Sequence, residues 1–217
     1  GLVLLALPLN QLVEPTAALL QALPPEALVL DTGSVKQPVL AAWQPQLPRF
    51  VGCHPMAGTA EAGVEAGVAG LFQGRPWVIT PSGQESPADL EMARALGRDL
   101  GSTVLECDPA DHDRAVAFIS HMPVLVSAAL LQSAAAAEPQ GLLQALASSG
   151  FADTTRIGGG NPELGSLMAR CNREAVQQAL DAYSKALNHL AEQVEAEDWR
   201  GLQQALATAQ AARPSFL

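Results

Sequence analysis

Five short apolar runs, none with the in-and-out alternation of a half-solvated strand, punctuate the first half of the chain at residues 2–7, 27–30, 50–53, 77–80 and 103–107. Helix-like stretches lie between them at 13–23, 36–43 and 87–100, and the Gly- and Ala-rich stretch 61–71 reads as a loose helix. Runs of this kind separated by helices constrain the chain to a parallel sheet covered on both faces. After Asp108 the strand signal stops, and residues 111–137, 140–149, 162–194 and 198–212 all read as helices. In the longest of these, Leu180, Tyr183, Leu187, Leu190 and Val194 recur every three or four residues, the spacing of one helical face. The expected architecture is α/β and then all-α, with residues 1–108 as one domain and 109–217 as the other.

Composition narrows the partners. A chain of 217 residues that is 48% hydrophobic and 16% charged can bury a sizeable core, which excludes disorder. Twelve Lys and Arg against 22 Asp and Glu give a net charge of −10, so neither nucleic acid nor an anionic membrane surface is an expected partner. Cys53, Cys107 and Cys171 show no metal-ligand spacing, and no metal site is expected; an odd count is no disulfide framework and fits a reducing cytoplasm. The opening residues look like a signal-peptide core but lack a Met, a basic flank and a cleavage site. Residues 115–137 carry no formal charge over a length that could span a bilayer, yet hold Ser120, His121, Pro123, Ser127 and Gln132 and read as a core helix. Because the chain opens on an apolar strand, it reads as a fragment of a longer protein.

Open parallel sheets bind ligands beyond the carboxyl ends of their strands, and there the chemistry-bearing residues collect. Asp31-Thr32-Gly33-Ser34 follows the second run. It matches the aspartic-protease signature, but that chemistry needs a second carboxylate and an all-β setting, so a strand-to-helix turn with Gly33 and a capping Ser34 is the better reading. His54 ends the third run and precedes a small-residue loop that allows a ligand close to the backbone; its ordinary pKa of about 6.5 suits proton transfer. Cys53 faces the opposite side of that strand, which argues against a Cys–His pair. His112 and His121 stand nine residues apart on one expected helix, about 900° or half a turn out of phase, so they are not expected to share a pocket. His112, between Asp111 and Asp113, reads as solvated; His121, in an apolar stretch, is either a core residue with a partner or a site residue. Arg156 stands before three glycines and a helix capped by Asn161, placed to grip a carboxylate, whereas a nucleotide phosphate loop would want a following Lys-Ser or Lys-Thr.

Four ordered segments then carry a resemblance: Asp31-Thr-Gly-Ser-Val-Lys36, Gly52-Cys-His-Pro-Met-Ala-Gly-Thr59, His112-Asp-Arg-Ala-Val-Ala-Phe-Ile-Ser-His-Met-Pro123 and Ser149-Gly-Phe-Ala-Asp-Thr-Thr-Arg-Ile-Gly-Gly-Gly-Asn-Pro-Glu-Leu-Gly165. Over essentially the whole chain they resemble the prephenate/arogenate dehydrogenases, the cyanobacterial arogenate type most. The resemblance implies an incomplete Rossmann-like dinucleotide-binding domain followed by a helical dimerisation domain, and hence a homodimer. It implies an oxidative decarboxylation that turns arogenate into tyrosine, or prephenate into 4-hydroxyphenylpyruvate. His54 matches the catalytic histidine and Ser34 the serine that orients it and the nicotinamide. Arg156 matches the arginine that binds a substrate carboxylate, and Thr59 and His121 match pocket positions. Pro8, Gly33 and Ser34 fall where the cofactor binds.

Two departures matter. Relatives that prefer prephenate often place a second His after the Ser-His-x-Pro of this helix; Val124 stands there, which points to arogenate. The family's Gly-x-Gly-x-x-Gly turn does not precede Leu2, so about fifty to sixty residues are expected ahead of Gly1. The residue that separates NADP from NAD belongs to that part, which leaves NADP implied by the arogenate-type resemblance alone and NAD as the alternative. Three other readings compete: a prephenate-specific enzyme, an inactive dimerisation fragment, and a hydroxy-acid dehydrogenase whose catalytic lysine would have to be Lys185.

Overall fold

The computed structural model describes residues 1–58, 63, 65 and 67–216. The first segment runs β1 (Leu2–Leu5), α1 (Leu9–Val13), α2 (Ala17–Ala22), β2 (Leu28–Asp31), α3 (Gln37–Trp43), β3 (Phe50–Pro55), β4 (Pro76–Thr80), α4 (Pro87–Asp99) and β5 (Thr103–Glu106). The helix expected at 13–23 is two short ones. Pro15 interrupts it, having no N–H to donate, and Thr16 restarts the chain as an N-cap that accepts from Leu19 N at 3.2 Å. Ser86 caps α4 as its sequence suggests, accepting from Asp89 N.

The strands lie in chain order, β1-β2-β3-β4-β5. The pairs β1–β2, β2–β3 and β4–β5 are parallel, but β3–β4 is antiparallel, with Cys53 opposite Ile79 and His54 opposite Val78. An all-parallel sheet is therefore corrected. A parallel neighbour needs a crossover to the far end of the sheet, and the connection after β3 does not make one. The loose helix expected at 61–71 lies partly outside the described residues, and residues 69–74 form turns.

Each face of the sheet packs a separate core. Leu5, Val29 and Phe50 meet Leu9, Leu12, Val39, Leu40 and Trp43 on one side, where the Trp43 and Phe50 rings stack at 5.6 Å. Leu28, Leu30, Val51, Cys53, Trp77 and Ile79 meet Ala93 on the other. Cys53 is thus committed to the second core, as the alternation of β3 requires. At Gly52, a Cβ would lie 2.7 Å from Thr80 Oγ1 and 3.0 Å from Leu40, so the residue before Cys53 must be glycine for α3 to sit this close to β3.

The remainder is helical: α5 (Pro109–Val116), a π-helical turn (Ala117–His121), α6 (Met122–Ala136), α7 (Gln140–Leu146), α8 (Ser149–Thr155), α9 (Pro162–Cys171), α10 (Arg173–Glu195), α11 (Trp199–Ala212) and a closing 3₁₀ turn (Arg213–Ser215). The helix expected at 162–194 breaks at Asn172, whose φ of −121° and ψ of 35° end α9. Pro109–Ala136 is continuous over 28 residues, with a mean hydropathy of 1.7 in its most apolar window, 22% of which is buried within this chain. Its buried stripe is His112, Asp113, Val116, Ala117, His121 and Ser127. The chain divides into two compact units, Gly1–Val176 and Gln177–Leu217. In the second, Glu197 takes a left-handed φ of 54° and Asp198 caps α11, accepting from Gly201 N at 2.9 Å.

Candidate active site

The turn after β2 is built around Asp31 and Lys36, both fully buried and ion-paired. Asp31 also accepts from Gly33 N at 2.8 Å and Cys53 N at 3.0 Å, while Lys36 Nζ reaches Cys53 O at 2.5 Å. The Asp of the protease-like signature is thus spent on tying β2 to β3, and the turn reading holds. The cap, however, is not Ser34. Lys36 N and Gln37 N, which open α3, donate to the Asp113 carboxylate at 2.7 and 2.9 Å, so α5 caps α3 from across the fold. Ser34 sits half-buried in the turn, Gly33 is buried beside it, and Pro8 is exposed just after β1. All three stand beyond the carboxyl ends of β1 and β2. Thr59 lies outside the described residues.

Three histidines gather where β3 meets α5, the π turn and α9. His54 Nδ1 lies 2.9 Å from His112 Nε2, with the rings edge to face at 76°. His112 Nδ1 lies 2.8 Å from Asp113 Oδ1. His121 Nδ1 lies 3.3 Å from Asn172 Nδ2, which also donates to Asp113 O at 2.7 Å. Two expectations are therefore corrected: His112 is 3% exposed rather than solvated, and it shares one buried cluster with His121. The π turn is the cause. Its extra residue absorbs about 100° of twist, which leaves the two histidines about 80° apart instead of opposed. Pro123, unable to bond back to Ile119, favours that widened turn.

The cluster favours the neutral form of His54 and His121. Burial, then the positive charge of Lys36, then His112 and His121 push the His54 pKa well below its ordinary value. Burial takes His121 down to about 4, against the opposing pull of Asp113. His121 Nδ1 accepts from Asn172, so its Nε2 carries the proton; that N–H is buried without a partner among the described residues. His54 is 9% exposed, the most accessible of the three. A neutral His54 can accept a proton, and a neutral His121 can donate a hydrogen bond to a buried ligand oxygen. Burial pushes the Cys53 thiol up and keeps it out of the chemistry. Among the described residues no group of three or more His, Cys, Asp or Glu could hold a metal ion.

Arg156 follows α8 and is exposed, with no ion pair among the described residues. Its backbone is held from both sides by one hydroxyl: Ser127 Oγ donates to Thr154 O at 2.9 Å and accepts from Gly158 N at 2.8 Å. Gly158 packs on α6 so closely that a Cβ would lie 2.4 Å from Ala128 N. Asn161 caps α9, accepting from Glu163 N at 2.9 Å. Sequence reasoning missed Asp113, Asn172, Lys36 and Ser127 as parts of this arrangement. Asp113 gave a signal, an acid beside a histidine at a helix start, and Lys36 stands five residues after Asp31, its ion-pair partner; Asn172 and Ser127 depend on contacts far along the chain.

The fold agrees with those of known proteins this chain resembles. Residues 1–106 match the family described as prephenate dehydrogenase, nucleotide-binding domain, and residues 108–208 match prephenate dehydrogenase, dimerization domain. The prephenate dehydrogenase of Bacillus subtilis is 30% identical over 181 residues, 82% of this chain and 49% of that protein. The chain spans about half the length of that curated relative. Among solved structures, Synechocystis arogenate dehydrogenase is 38% identical with a TM-score of 0.85, covering 100% of this chain and 79% of that one. Prephenate dehydrogenase from Aquifex aeolicus, in complex with hydroxyphenyl propionate and NAD+, is 30% identical with a TM-score of 0.91, covering 100% and 76%. With a sheet carrying His54 at a strand end, helices supplying the rest of its cluster, and relatives that share both halves, the chain belongs to the prephenate/arogenate dehydrogenase family.

Proposed function

We propose that the protein oxidises arogenate to tyrosine, with loss of carbon dioxide. The observation that carries this reading is His54, a buried neutral imidazole at the end of β3, beside a second neutral histidine whose N–H has no partner among the described residues. A nicotinamide dinucleotide would supply the hydride acceptor. The chain's own residues manage the proton and the carboxylates. As the C4–H bond of the cyclohexadienol gives up its electron pair, His54 takes the 4-hydroxyl proton and the oxygen becomes a carbonyl. The bond from C1 to its carboxylate then breaks, carbon dioxide leaves, and the released pair aromatises the ring. The phenolate oxygen recovers the proton from His54. General-base help of this kind is worth about 10²–10⁴ in rate.

Arg156, exposed and without an ion pair among the described residues, is the group we assign to a substrate carboxylate, with His121 and Thr59 as further pocket residues and Ser34 as the side chain that orients His54. The nicotinamide end of the cofactor fits beyond β1 and β2. Asn10 Oδ1, in the first turn of α1, is a buried acceptor without a partner among the described residues, and Pro8, Gly33 and Ser34 frame the same strand ends. NADP is the reading we carry from the arogenate-type resemblance; the NAD+ bound to the Aquifex protein favours the alternative.

Val124 supports arogenate over prephenate. It is half-buried, and its methyl group lies 3.5 Å from where a side chain on Gly165 would begin. An apolar residue there offers nothing to a keto-acid side chain. A homodimer in the cytoplasm completes the reading. Leu142, Leu143 and Leu146 are exposed, and an apolar cavity of about 570 Å³ is lined by α6, α7 and the start of α8. A second copy would cover that surface. Steady-state assays of the full-length enzyme with each substrate and each cofactor test the proposal. Arogenate with NADP is expected to give the higher kcat/KM; equal or better turnover of prephenate would defeat the argument from Val124.

A further inference from the structure

We propose that His112 is a positioning residue that fixes the tautomer of His54, and that Asp113 fixes His112 in turn. The inference rests on the reading of His54 as the group that receives the substrate's hydroxyl proton.

The logic follows from which atoms can carry hydrogen. The Asp113 carboxylate only accepts, so the 2.8 Å contact puts the proton of His112 on Nδ1. In a neutral His112 the other nitrogen, Nε2, is then an acceptor. That acceptor lies 2.9 Å from His54 Nδ1, which must therefore carry the hydrogen. His54 is left with its lone pair on Nε2, the nitrogen that has no hydrogen bond among the described residues. In the opposite tautomer Nε2 would hold a proton and could not take another from an alcohol.

Asp113 is well suited to anchor such a chain. Its two oxygens already accept from Lys36 N and Gln37 N at the start of α3, and Asn172 donates to its backbone carbonyl. It cannot rotate away from His112 without uncapping a helix. The relay also spans separate elements: β3 carries His54, α5 carries His112 and Asp113, and the start of α3 locks the carboxylate. The π turn lets the neighbouring His121 face the same cluster without displacing His112. A merely space-filling ring would need neither hydrogen bond.

The direct test is nitrogen-15 NMR on the full-length enzyme labelled at histidine, which reads each ring nitrogen as protonated or bare. In the wild-type protein at neutral pH, His54 is expected to show a protonated Nδ1 and a bare Nε2. In His112→Phe the Nε2–H form should gain, and kcat should fall about 10- to 100-fold with KM changed less than threefold. His112→Gln offers an amide oxygen near the lost acceptor and should recover kcat to within about tenfold of wild type. Should His112→Phe fail to fold, the wild-type spectrum and His112→Gln still decide. A wild-type His54 protonated on Nε2, or a folded His112→Phe with unchanged tautomer and kcat, overturns the inference. Assaying His54→Asn in parallel separates the two ideas. If it is inactive while His112→Phe is normal, only the positioning role fails; if it turns over normally, the underlying reading of His54 fails.

Discussion

Two buried polar clusters lie side by side in this protein, and they differ in one respect. Around Asp31 and Lys36, every polar side-chain atom already has a partner in the chain: the carboxylate accepts from Lys36, Gly33 N and Cys53 N, and the ammonium also holds Cys53 O. Around His54, His112 and His121, capacity is left over. The Nε2 of His121 has no partner among the described residues, and that of His54 is the nitrogen turned away from the relay. Burial is common to both clusters. A buried polar atom without a partner among the described residues is what separates a place where a ligand completes the structure from a joint in the fold.

The comparison can be broken most sharply at Lys36. Replacing it with Met leaves the Asp31 carboxylate buried without its cation, and urea denaturation is expected to show a loss of about 3–5 kcal/mol. A loss below about 1 kcal/mol would mean that this cluster is no structural joint. Acid tests the histidine cluster next. His121 has a folded pKa of about 4, below its unfolded value of about 6.5, so the unfolded chain binds more protons in that interval. The stability contributed by keeping it neutral is therefore complete above pH 6.5 and is lost as the pH falls towards 4, on the order of 3 kcal/mol. His54, also depressed and surrounded by Lys36, His112 and His121, adds to the loss in the same direction. His121→Gln should flatten that slope in denaturation measured across pH 4 to 7; an unchanged slope would show that His121 is protonated in the folded state.

How much of this could be read from the sequence depends on where the deciding contacts lie. The sheet was legible because residues 27–30 and 50–53 are apolar without alternation, and the caps at Ser86 and Asn161 are short-range chemistry. His54 stood out because a strand end and a small-residue loop flank it. His112 did not, because regular helical geometry places it opposite His121. A single π turn, which the sequence hints at only through Pro123, reverses that conclusion. Asp113 capping α3 is a contact across 77 residues, and no local pattern announces it. The antiparallel β3–β4 pair was missed for a related reason: an apolar run says that a strand is buried, not which way it runs.

Arg156 provides a smaller and sharper test. Arg156→Ala is expected to raise the substrate KM about 10- to 100-fold with kcat affected much less, the signature of lost ground-state binding. Ser127→Ala, which removes the hydroxyl that brackets that arginine, should cost about 1–2 kcal/mol of stability and raise KM only a few-fold. If Ser127→Ala lowered kcat as strongly as it raised KM, the segment 154–158 would be taking part in the chemical step and not only in holding a carboxylate.

Single-turnover kinetics of His54→Asn in the full-length enzyme examine the central claim most directly. With cofactor affinity measured separately, the account predicts hydride transfer slowed about 10²- to 10⁴-fold and cofactor Kd within about twofold of wild type. Hydride transfer at the wild-type rate, with the variant folded and the cofactor bound, would contradict it.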